Sequence, residues 1–202
     1  MGVTKRLFLA STNPGKLREF SAIAADVRSE IALALLPMFA ELPPFSEDAP
    51  TFAENALGKA LHGSSISNDA VCADDSGLVV PALDGAPGVI SARYAGPNAT
   101  DDQNVEKLLR SLREKKAADR VAYFVCALAV ARKGNALAVV TNRVDGMILP
   151  GPRGSGGFGY DPIFFFPPLQ KSFAEISSAE KNLYSHRGKA LRRLLEVLPG
   201  ML

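Results

Sequence analysis

Two spacings of apolar residues divide the chain into predicted helices and strands. Apolar positions three and four residues apart predict helices, and the first two helices follow the candidate capping residues Asn13 and Thr51. Short apolar runs bounded by turn residues predict buried strands. The predicted helices cover 17–27, 52–61, 102–113 and a C-terminal segment that begins near Ser178, and the predicted strands cover 6–11, 70–73, 78–80, 121–131, 136–144 and 163–166. This order of elements predicts a mixed α/β fold.

The composition is that of one globular domain. Of the 202 residues, 47% are hydrophobic and 22% are charged, which is enough apolar sequence for one sizeable core. The formal net charge of +2 is too small to predict a nucleic-acid or membrane surface. The N-terminal segment through Thr12 lacks the pattern of a secretion signal, and no apolar run approaches the ~20 residues of a membrane span. We therefore expect a cytoplasmic protein that binds neither nucleic acid nor membrane.

Both cysteines, Cys72 and Cys126, lie in predicted buried strands. Free thiols at such positions behave as small hydrophobic side chains. The sequence has no Cys-x-x-Cys pair and no Cys/His cluster. We therefore expect neither a disulfide framework nor a zinc site.

The segment 71–80 places two adjacent carboxylates, Asp74 and Asp75, between two apolar runs. Asp, Ser and Gly together are typical of tight turns, and a turn is the simplest interpretation. The alternative is a functional carboxylate pair, because charge beside buried strands is unfavourable unless a cation or ligand offsets it. The residues alone leave both interpretations open.

The segment STNPGK, 11–16, joins a predicted strand to the start of a helix. Unpaired N–H groups and the helix dipole at such an end favour bound phosphate. The segment is not a Walker A loop, which requires a different glycine and lysine spacing. An ordinary strand-to-helix turn has the same appearance.

Two segments in the C-terminal part carry further candidate chemistry. The segment GSGGFGYD, 154–161, combines glycines with two aromatic rings that can stack on a flat ligand, and a flexible surface loop is its alternative. Lys181, His186 and Arg187 lie at the start of the last predicted helix. Cations at a helix start oppose its dipole, so a binding role is one interpretation and a solvated charged face is the alternative.

The chain resembles the inosine triphosphate pyrophosphatase family through segments that occur in the family's order: STNPGK, TFAENALGKA, ADDSGLVVPALDGAPGVISARYAG, GGFGYDPIFFFP and EKNLYSHRGKAL. The resemblance spans nearly the whole chain and is to the bacterial type. It implies an elongated, two-lobed α/β fold with a long central mixed β-sheet flanked by helices and a nucleotide cleft between the lobes. It also implies one bilobed domain over residues 1–202 and a homodimer.

Carried over position by position, the resemblance implies a role for each candidate residue. Asp75 is expected to accept a proton and bind the metal, with Lys59 and Asp74 beside it. Glu47 is expected to be the second metal ligand, and Asp48 is the alternative because SEDAPTF is one residue shorter than the usual family run and lacks its glycine. The metal is expected to be Mg²⁺, with Mn²⁺ left open. The expected substrate-binding residues are Ser11, Thr12, Asn13, Pro14, Gly15, Lys16, Ser76, Phe158, Gly159, Tyr160, Asp161, Lys181, His186 and Arg187.

The resemblance also implies a reaction. It predicts hydrolysis of non-canonical purine nucleoside triphosphates (ITP, dITP and XTP) to the monophosphate and pyrophosphate. Two alternatives remain at this point: a nucleotide pyrophosphatase of other base specificity, which turns over other nucleotides, and a regulator that binds nucleotides without turnover.

Overall fold

The computed structural model describes residues 5–202, and the start of the N-terminal segment considered above lies outside them. Its α-helices are α1 (Pro14–Asp26), α2 (Phe52–Ser64), α3 (Asp101–Ser111), α4 (Ser178–Tyr184) and α5 (His186–Val197). Its strands are β1 (Arg6–Leu9), β2 (Ala32–Leu35), β3 (Ala70–Val79), β4 (Val121–Arg132), β5 (Asn135–Ile148), β6 (Phe164–Phe166) and β7 (Lys171–Ser172). The predicted mixed α/β class is confirmed.

The strands form a seven-stranded sheet in the order β2-β1-β3-β4-β5-β6-β7. β1 is parallel to both of its neighbours, β2 and β3. β6 is antiparallel to both β5 and β7. The sheet is therefore mixed, with parallel pairing at one end of the strand order and antiparallel pairing at the other.

The chain divides into two compact units. The first unit comprises the described residues through Asp75, Cys126–Asn142 and Arg187–Leu202, and the second comprises Ser76–Val125 and Arg143–His186. Each unit has its own hydrophobic core.

The core of the first unit covers both faces of its part of the sheet, because side chains alternate along a strand. On one face, Cys126, Leu128 and Val130 of β4 pack with residues of α1 and α5. On the other face, the β4 alanines 127, 129 and 131 pack with α2. These short side chains let α2 approach closely, and a Cβ on its Gly63 would lie only 3.1 Å from Val71. The sheet here is thus sandwiched between helices.

The core of the second unit is aromatic. The rings of Phe124 and Phe164 lie 4.6 Å apart, and those of Phe164 and Phe173 lie 4.9 Å apart. Beside this core, the guanidinium of Arg120 donates to the backbone carbonyls of Leu112, Ile148 and Leu149. Arg120 thereby ties the end of α3 to the end of β5.

The predicted helix starts are confirmed by capping contacts. The side chain of Asn13 accepts a hydrogen bond from Gly15 N–H, and Pro14 occupies the first turn of α1. Thr51 accepts from Glu54 N–H at α2, and Ser177 accepts from Glu180 N–H at α4. Glu54 is therefore part of a helix cap, as its position in the sequence predicts.

Several predicted elements differ from those observed. The separate strands expected at 70–73 and 78–80 are one strand, β3, and the expected C-terminal helix is two helices broken at Ser185, whose ψ of 155° is extended. Two short strands, β2 and β7, were not predicted. β2 has an ALAL sequence that does not distinguish a strand from a helix, and β7 has only two residues.

The cysteines are buried free thiols in the core of the first unit, as predicted. Burial, followed by the charge of Asp74, raises the pKa of the Cys72 thiol. Among residues 5–202, no helix has both the length and the apolar composition needed to cross a membrane.

Candidate functional site

Asp74 and Asp75 lie within β3, so the interpretation of this segment as a turn is wrong. Their exposed fractions are only 7% and 8%. Adjacent residues of a strand point to opposite faces, so the two carboxylates meet different neighbours. Ionised carboxylates at this depth require cations or hydrogen-bond donors, and the first unit supplies both.

Asp74 is held by cations. Lys16 Nζ donates to its Oδ1 at 2.8 Å, and Arg187 Nε lies 3.9 Å from its Oδ2. Burial alone would raise the pKa of this carboxyl, but the charges of Lys16, Arg187 and Lys59 outweigh burial and lower the pKa to about 2. Asp74 is therefore a fixed anion at neutral pH.

Lys59 connects α2 to the carboxylate pair. Its Nζ donates to the backbone carbonyl of Asp74 at 3.0 Å and forms an ion pair with Glu47. Lys59, Glu47 and Asp74 therefore lie close together in the first unit. Asp48, the alternative to Glu47, instead accepts a hydrogen bond from the hydroxyl of Ser46.

Asp75 is contacted by a neutral side chain. Asn55 Nδ2 of α2 donates to Asp75 Oδ2 at 3.1 Å. Asn55 is fully buried, and its amide also bonds the backbone of Ala49. The sequence pattern does not mark Asn55 as a site residue. The one available signal was its position in the first turns of a helix that also carries Lys59.

Arg187 is buried, with an exposed fraction of 5%, so the interpretation of this position as a solvated face is wrong. Its Nη1 lies 3.1 Å from Glu19 Oε2. Burial would lower the pKa of the guanidinium, but the charges of Glu19 and Asp74 outweigh it and raise the pKa. Arg187 thus pairs with carboxylates of the first unit, and its expected role in holding a base stays a prediction.

The loop 11–16 connects β1 to α1, as predicted. Thr12, Asn13 and Pro14 are exposed, and Ser11 Oγ accepts from Asn13 N–H at 3.1 Å. The loop therefore presents a helix N-terminus to solvent, while its last residue, Lys16, reaches Asp74. A helix start with an adjacent lysine matches the requirements of a phosphate site.

The second unit contains a separate charged centre built on the glycine-rich segment. Asp161 is buried, forms an ion pair with Lys181, and accepts from Phe158 N–H at 2.9 Å. The Lys181 ammonium lies 4.7 Å from the centroid of the Phe158 ring. Gly157 has a φ of +73°, and a Cβ there would lie 2.1 Å from the Asp161 carboxylate. The glycine is needed for both conformation and space.

The aromatic residues of this segment differ in accessibility. Phe158 is 58% exposed and presents its ring for stacking. Tyr160 is buried, and its hydroxyl donates to Ser91 O at 2.9 Å. Burial, followed by the charges of Tyr94 and Asp101, raises the pKa of Tyr160. The ring of Tyr160 thus packs in the core of the second unit, and its expected stacking role stays a prediction.

The remaining predicted residues of the second unit have varied environments. Gly159 N–H donates to Asp101 Oδ2 at 2.6 Å. His186 is buried, and its ring stacks on Phe124 at 4.7 Å, so it is not part of a solvated face. Ser76 is half-buried in β3 directly after Asp75.

The first unit also offers oxygen ligands for a cation. Among residues 5–202, no group of three or more His, Cys, Asp and Glu side chains is placed to hold a metal ion. Mg²⁺ commonly uses one or two protein carboxylates and completes its shell with water and substrate phosphate. Glu47 pairs with Lys59, which contacts the backbone beside Asp75. The hard oxygens of Glu47 and Asp75 fit that requirement.

Together these features define an α/β protein of the class that binds and processes phosphate compounds: a buried acidic pair, surrounding lysine and arginine, and an exposed helix start. Comparison with known proteins identifies the group within that class. The Ham1 family model matches residues 7–197. The chain belongs to the Ham1 family.

Individual relatives are similar over nearly their whole length. The chain is 49% identical over 192 residues to the dITP/XTP pyrophosphatase of Geobacillus kaustophilus, covering 95% of this chain and 93% of the relative. It is 46% identical over 196 residues to the dITP/XTP pyrophosphatase of Desulfotalea psychrophila, covering 97% and 86%. The solved HAM1 protein from Coxiella burnetii superposes with a TM-score of 0.88 at 41% identity, covering 97% and 99%.

Proposed function

We propose that this protein hydrolyses ITP, dITP and XTP to the nucleoside monophosphate and pyrophosphate, and so removes non-canonical purine nucleotides from the pool. The observation that carries the proposal is the buried Asp74–Asp75 pair beneath Lys16, Lys59 and Arg187. Its relatives named dITP/XTP pyrophosphatase support the choice of substrate.

The phosphates bind at the start of α1. The loop 11–16 supplies backbone N–H groups and the positive end of the helix dipole, and Lys16 supplies a charge. Lys59 adds a second ammonium close to Asp74. The carboxylates of Asp74 and Glu47 hold these two ammonium groups beside the acidic pair. A bound triphosphate competes with those carboxylates for the same lysines.

Asp75 accepts the proton of the attacking water, and Asp74 does not. A carboxylate with a pKa of about 2 is a weak base, and Lys16 and Arg187 hold Asp74 in that state. Asp75 is the proton acceptor that the family resemblance implies, and Asn55 N–H donates to its Oδ2. Asp75 therefore directs water to the α-phosphorus, and pyrophosphate leaves while the lysines neutralise its charge.

Mg²⁺ is the proposed cofactor, with Asp75 and Glu47 as its protein ligands. When bound, it neutralises phosphate charge and polarises the phosphoryl oxygens. Mn²⁺ has the same preference for oxygen ligands.

The family resemblance assigns the base and sugar to the segment that carries Phe158 and Asp161, with Lys181. Phe158 presents an exposed ring for stacking on the purine, and the buried Lys181–Asp161 pair fixes the segment that carries it. A 6-keto purine presents an acceptor where adenine presents a donor, so a donor such as Lys181 favours ITP and XTP over ATP. Mismatched polar groups in a closed site reject an analogue by as much as ~10⁴-fold.

A nucleotide panel tests the proposal. The purified protein is incubated with Mg²⁺ and with ITP, XTP, dITP, ATP, GTP or UTP, and the products are separated by ion-exchange chromatography. Monophosphate and pyrophosphate from ITP and XTP, at far higher kcat/KM than from ATP, support it. Equal kcat/KM for ATP and ITP indicates another specificity, and binding without any product indicates a regulator.

The variant Asp75→Asn is the matched test of the catalytic assignment, because amide and carboxylate have nearly the same shape. We expect a folded protein that has lost most turnover, since the amide lacks the charge and basicity of the carboxylate. Normal kcat in this variant contradicts the role of Asp75.

The proposal includes a homodimer and a cytoplasmic location. The dimer rests on the family resemblance, and light scattering coupled to size-exclusion chromatography measures it as a mass of twice 21.4 kDa. The location follows from the proposed substrate, because the nucleotide pool used for nucleic-acid synthesis is cytoplasmic in bacteria.

A further inference from the structure

Asn55 bonds the backbone of Ala49, in the loop before α2, and makes one further polar contact. The bonds to Ala49 act as a clamp on this loop. Asn55 Oδ1 accepts from Ala49 N–H at 2.9 Å, and its Nδ2 donates to Ala49 O at 3.3 Å. The second N–H of the same amide donates to Asp75 Oδ2 at 3.1 Å. Asn55 is fully buried, so these contacts form without competition from water.

A second buried asparagine provides an internal comparison. Asn104 follows the helix cap Thr100 by the same four positions as Asn55 follows Thr51. Asn104 Oδ1 accepts from Ala95 N–H at 2.8 Å, and its Nδ2 donates to Ala92 O at 3.1 Å. Both asparagines thus hold the chain that precedes their helix. The contact with a carboxylate distinguishes Asn55.

The segment that Asn55 clamps is chemically relevant. Ala49 lies two residues after Glu47, and Glu47 pairs with Lys59 on the same helix as Asn55. One amide therefore touches both the Asp75 carboxylate and the short segment that carries the other candidate metal ligand. A side chain with these contacts sets where the two carboxylates lie relative to each other.

We infer that Asn55 is a positioning residue for Asp75. It holds the Asp75 carboxylate at a fixed position relative to the segment that carries Glu47. The inference rests on the proposed function. Asn55 acts through Asp75 and through the clamped loop. Hydrogen-bond partners that orient metal-binding carboxylates typically change metal affinity or activity by 10–100-fold when removed.

The experiment compares Asn55→Ser with Asn104→Ser. Each variant loses an equivalent loop clamp, so we expect similar decreases in thermal midpoint. Only Asn55→Ser is expected to lower kcat for ITP, by about 10–100-fold per folded molecule, with KM changed less than about 3-fold. Equal kcat in the two variants, corrected for folded fraction, overturns the inference. If Asn55→Ser does not fold, the pair Asn55→Ala and Asn104→Ala makes the same comparison, because alanine removes the amide without adding a charge beside Asp75 and has high helix propensity.

A second readout does not depend on activity. The free energies of unfolding in urea of Asn55→Ser, Asp75→Ala and the double variant form a cycle. We expect non-additive changes, because each single variant breaks the same Asn55–Asp75 bond, and additive changes overturn the inference. A wild-type protein that hydrolyses no nucleotide contradicts the proposed function, and the cycle still decides whether Asn55 holds Asp75.

Discussion

The variant Lys16→Met tests the electrostatic arrangement around Asp74. Methionine keeps most of the apolar stem of lysine and removes the ammonium that lies 2.8 Å from Asp74 Oδ1. The Lys16 side chain is only 29% exposed and that of Asp74 7%, so solvent screens this pair weakly. The variant leaves a buried carboxylate with fewer compensating charges.

The expected loss follows from the pKa of Asp74. A pKa of about 2 in the folded protein, against an ordinary value of 3.8, corresponds to about 2 kcal/mol of stabilisation at neutral pH. Arg187 and Lys59 also contribute to this lowering and remain in the variant. We therefore expect Lys16→Met to lower the free energy of unfolding by about 1 kcal/mol at pH 7.

The pH dependence has a definite sign. A depressed carboxyl pKa stabilises the fold above the unfolded value of 3.8, and this contribution disappears as the pH falls through the folded value of about 2. The difference in stability between wild type and variant should therefore be complete at pH 7 and should vanish near pH 2. Equal stabilities at pH 7, or a difference that persists undiminished near pH 2, refute the reasoning.

The assay is urea unfolding followed by far-UV circular dichroism, because the chain has no tryptophan. A chelator is present, so that no divalent cation contributes. The control is Arg6→Met, which removes a surface ion pair with Asp69 whose side chains are 61% and 38% exposed. Exposed pairs contribute little, and we expect this control to change the free energy of unfolding by less than about 0.5 kcal/mol.

Three further predictions concern the second unit. Gly157→Ala should lower the thermal midpoint much more than Gly159→Ala. Both glycines have positive φ, but only the added Cβ at Gly157 collides with Asp161. Equal decreases in thermal midpoint contradict this prediction. Phe158→Ala should leave urea stability nearly unchanged and raise KM for ITP about 10-fold, since a base stacked on an aromatic ring contributes about 1–3 kcal/mol; an unchanged KM removes the stacking role. Arg120→Met should lower the free energy of unfolding in urea by about 2–4 kcal/mol, because three backbone carbonyls lose a charged donor. A loss below about 1 kcal/mol is inconsistent with those bonds.

The sequence predicts the local parts of this structure well. The caps at Asn13 and Thr51 form as predicted, because a capping side chain bonds a backbone group only a few residues away. The turn between the neighbouring strands β4 and β5 is local in the same way, with Lys133 and Gly134 at positive φ. These features depend on neighbours in the sequence.

The features that sequence patterns miss depend on distant residues. The turn propensity around Asp74 is overridden because Lys16 and Arg187, far away in the chain, offset the cost of burying its charge. Glu19 and Asn55 were missed for the same reason, since their partners Arg187 and Asp75 are 168 and 20 residues away. Local propensity carries no information about such contacts.

The break between α4 and α5 also escapes sequence patterns. Ser185 has ordinary helix propensity, and the amphipathic spacing of leucines continues beyond it. Its extended ψ of 155° divides the segment, with Lys181 on α4 and His186 and Arg187 starting α5. The prediction that one helix carries all three cations was therefore wrong, because they lie on two helices. All three side chains are buried.

The hydrolysis of ITP in ¹⁸O-labelled water tests the central claim most directly. The products are separated, and the label in each is measured by mass spectrometry. Attack of water on the α-phosphorus predicts inosine monophosphate carrying one labelled oxygen and pyrophosphate carrying none. Label in the pyrophosphate, release of orthophosphate from the triphosphate, or the absence of any product contradicts the account.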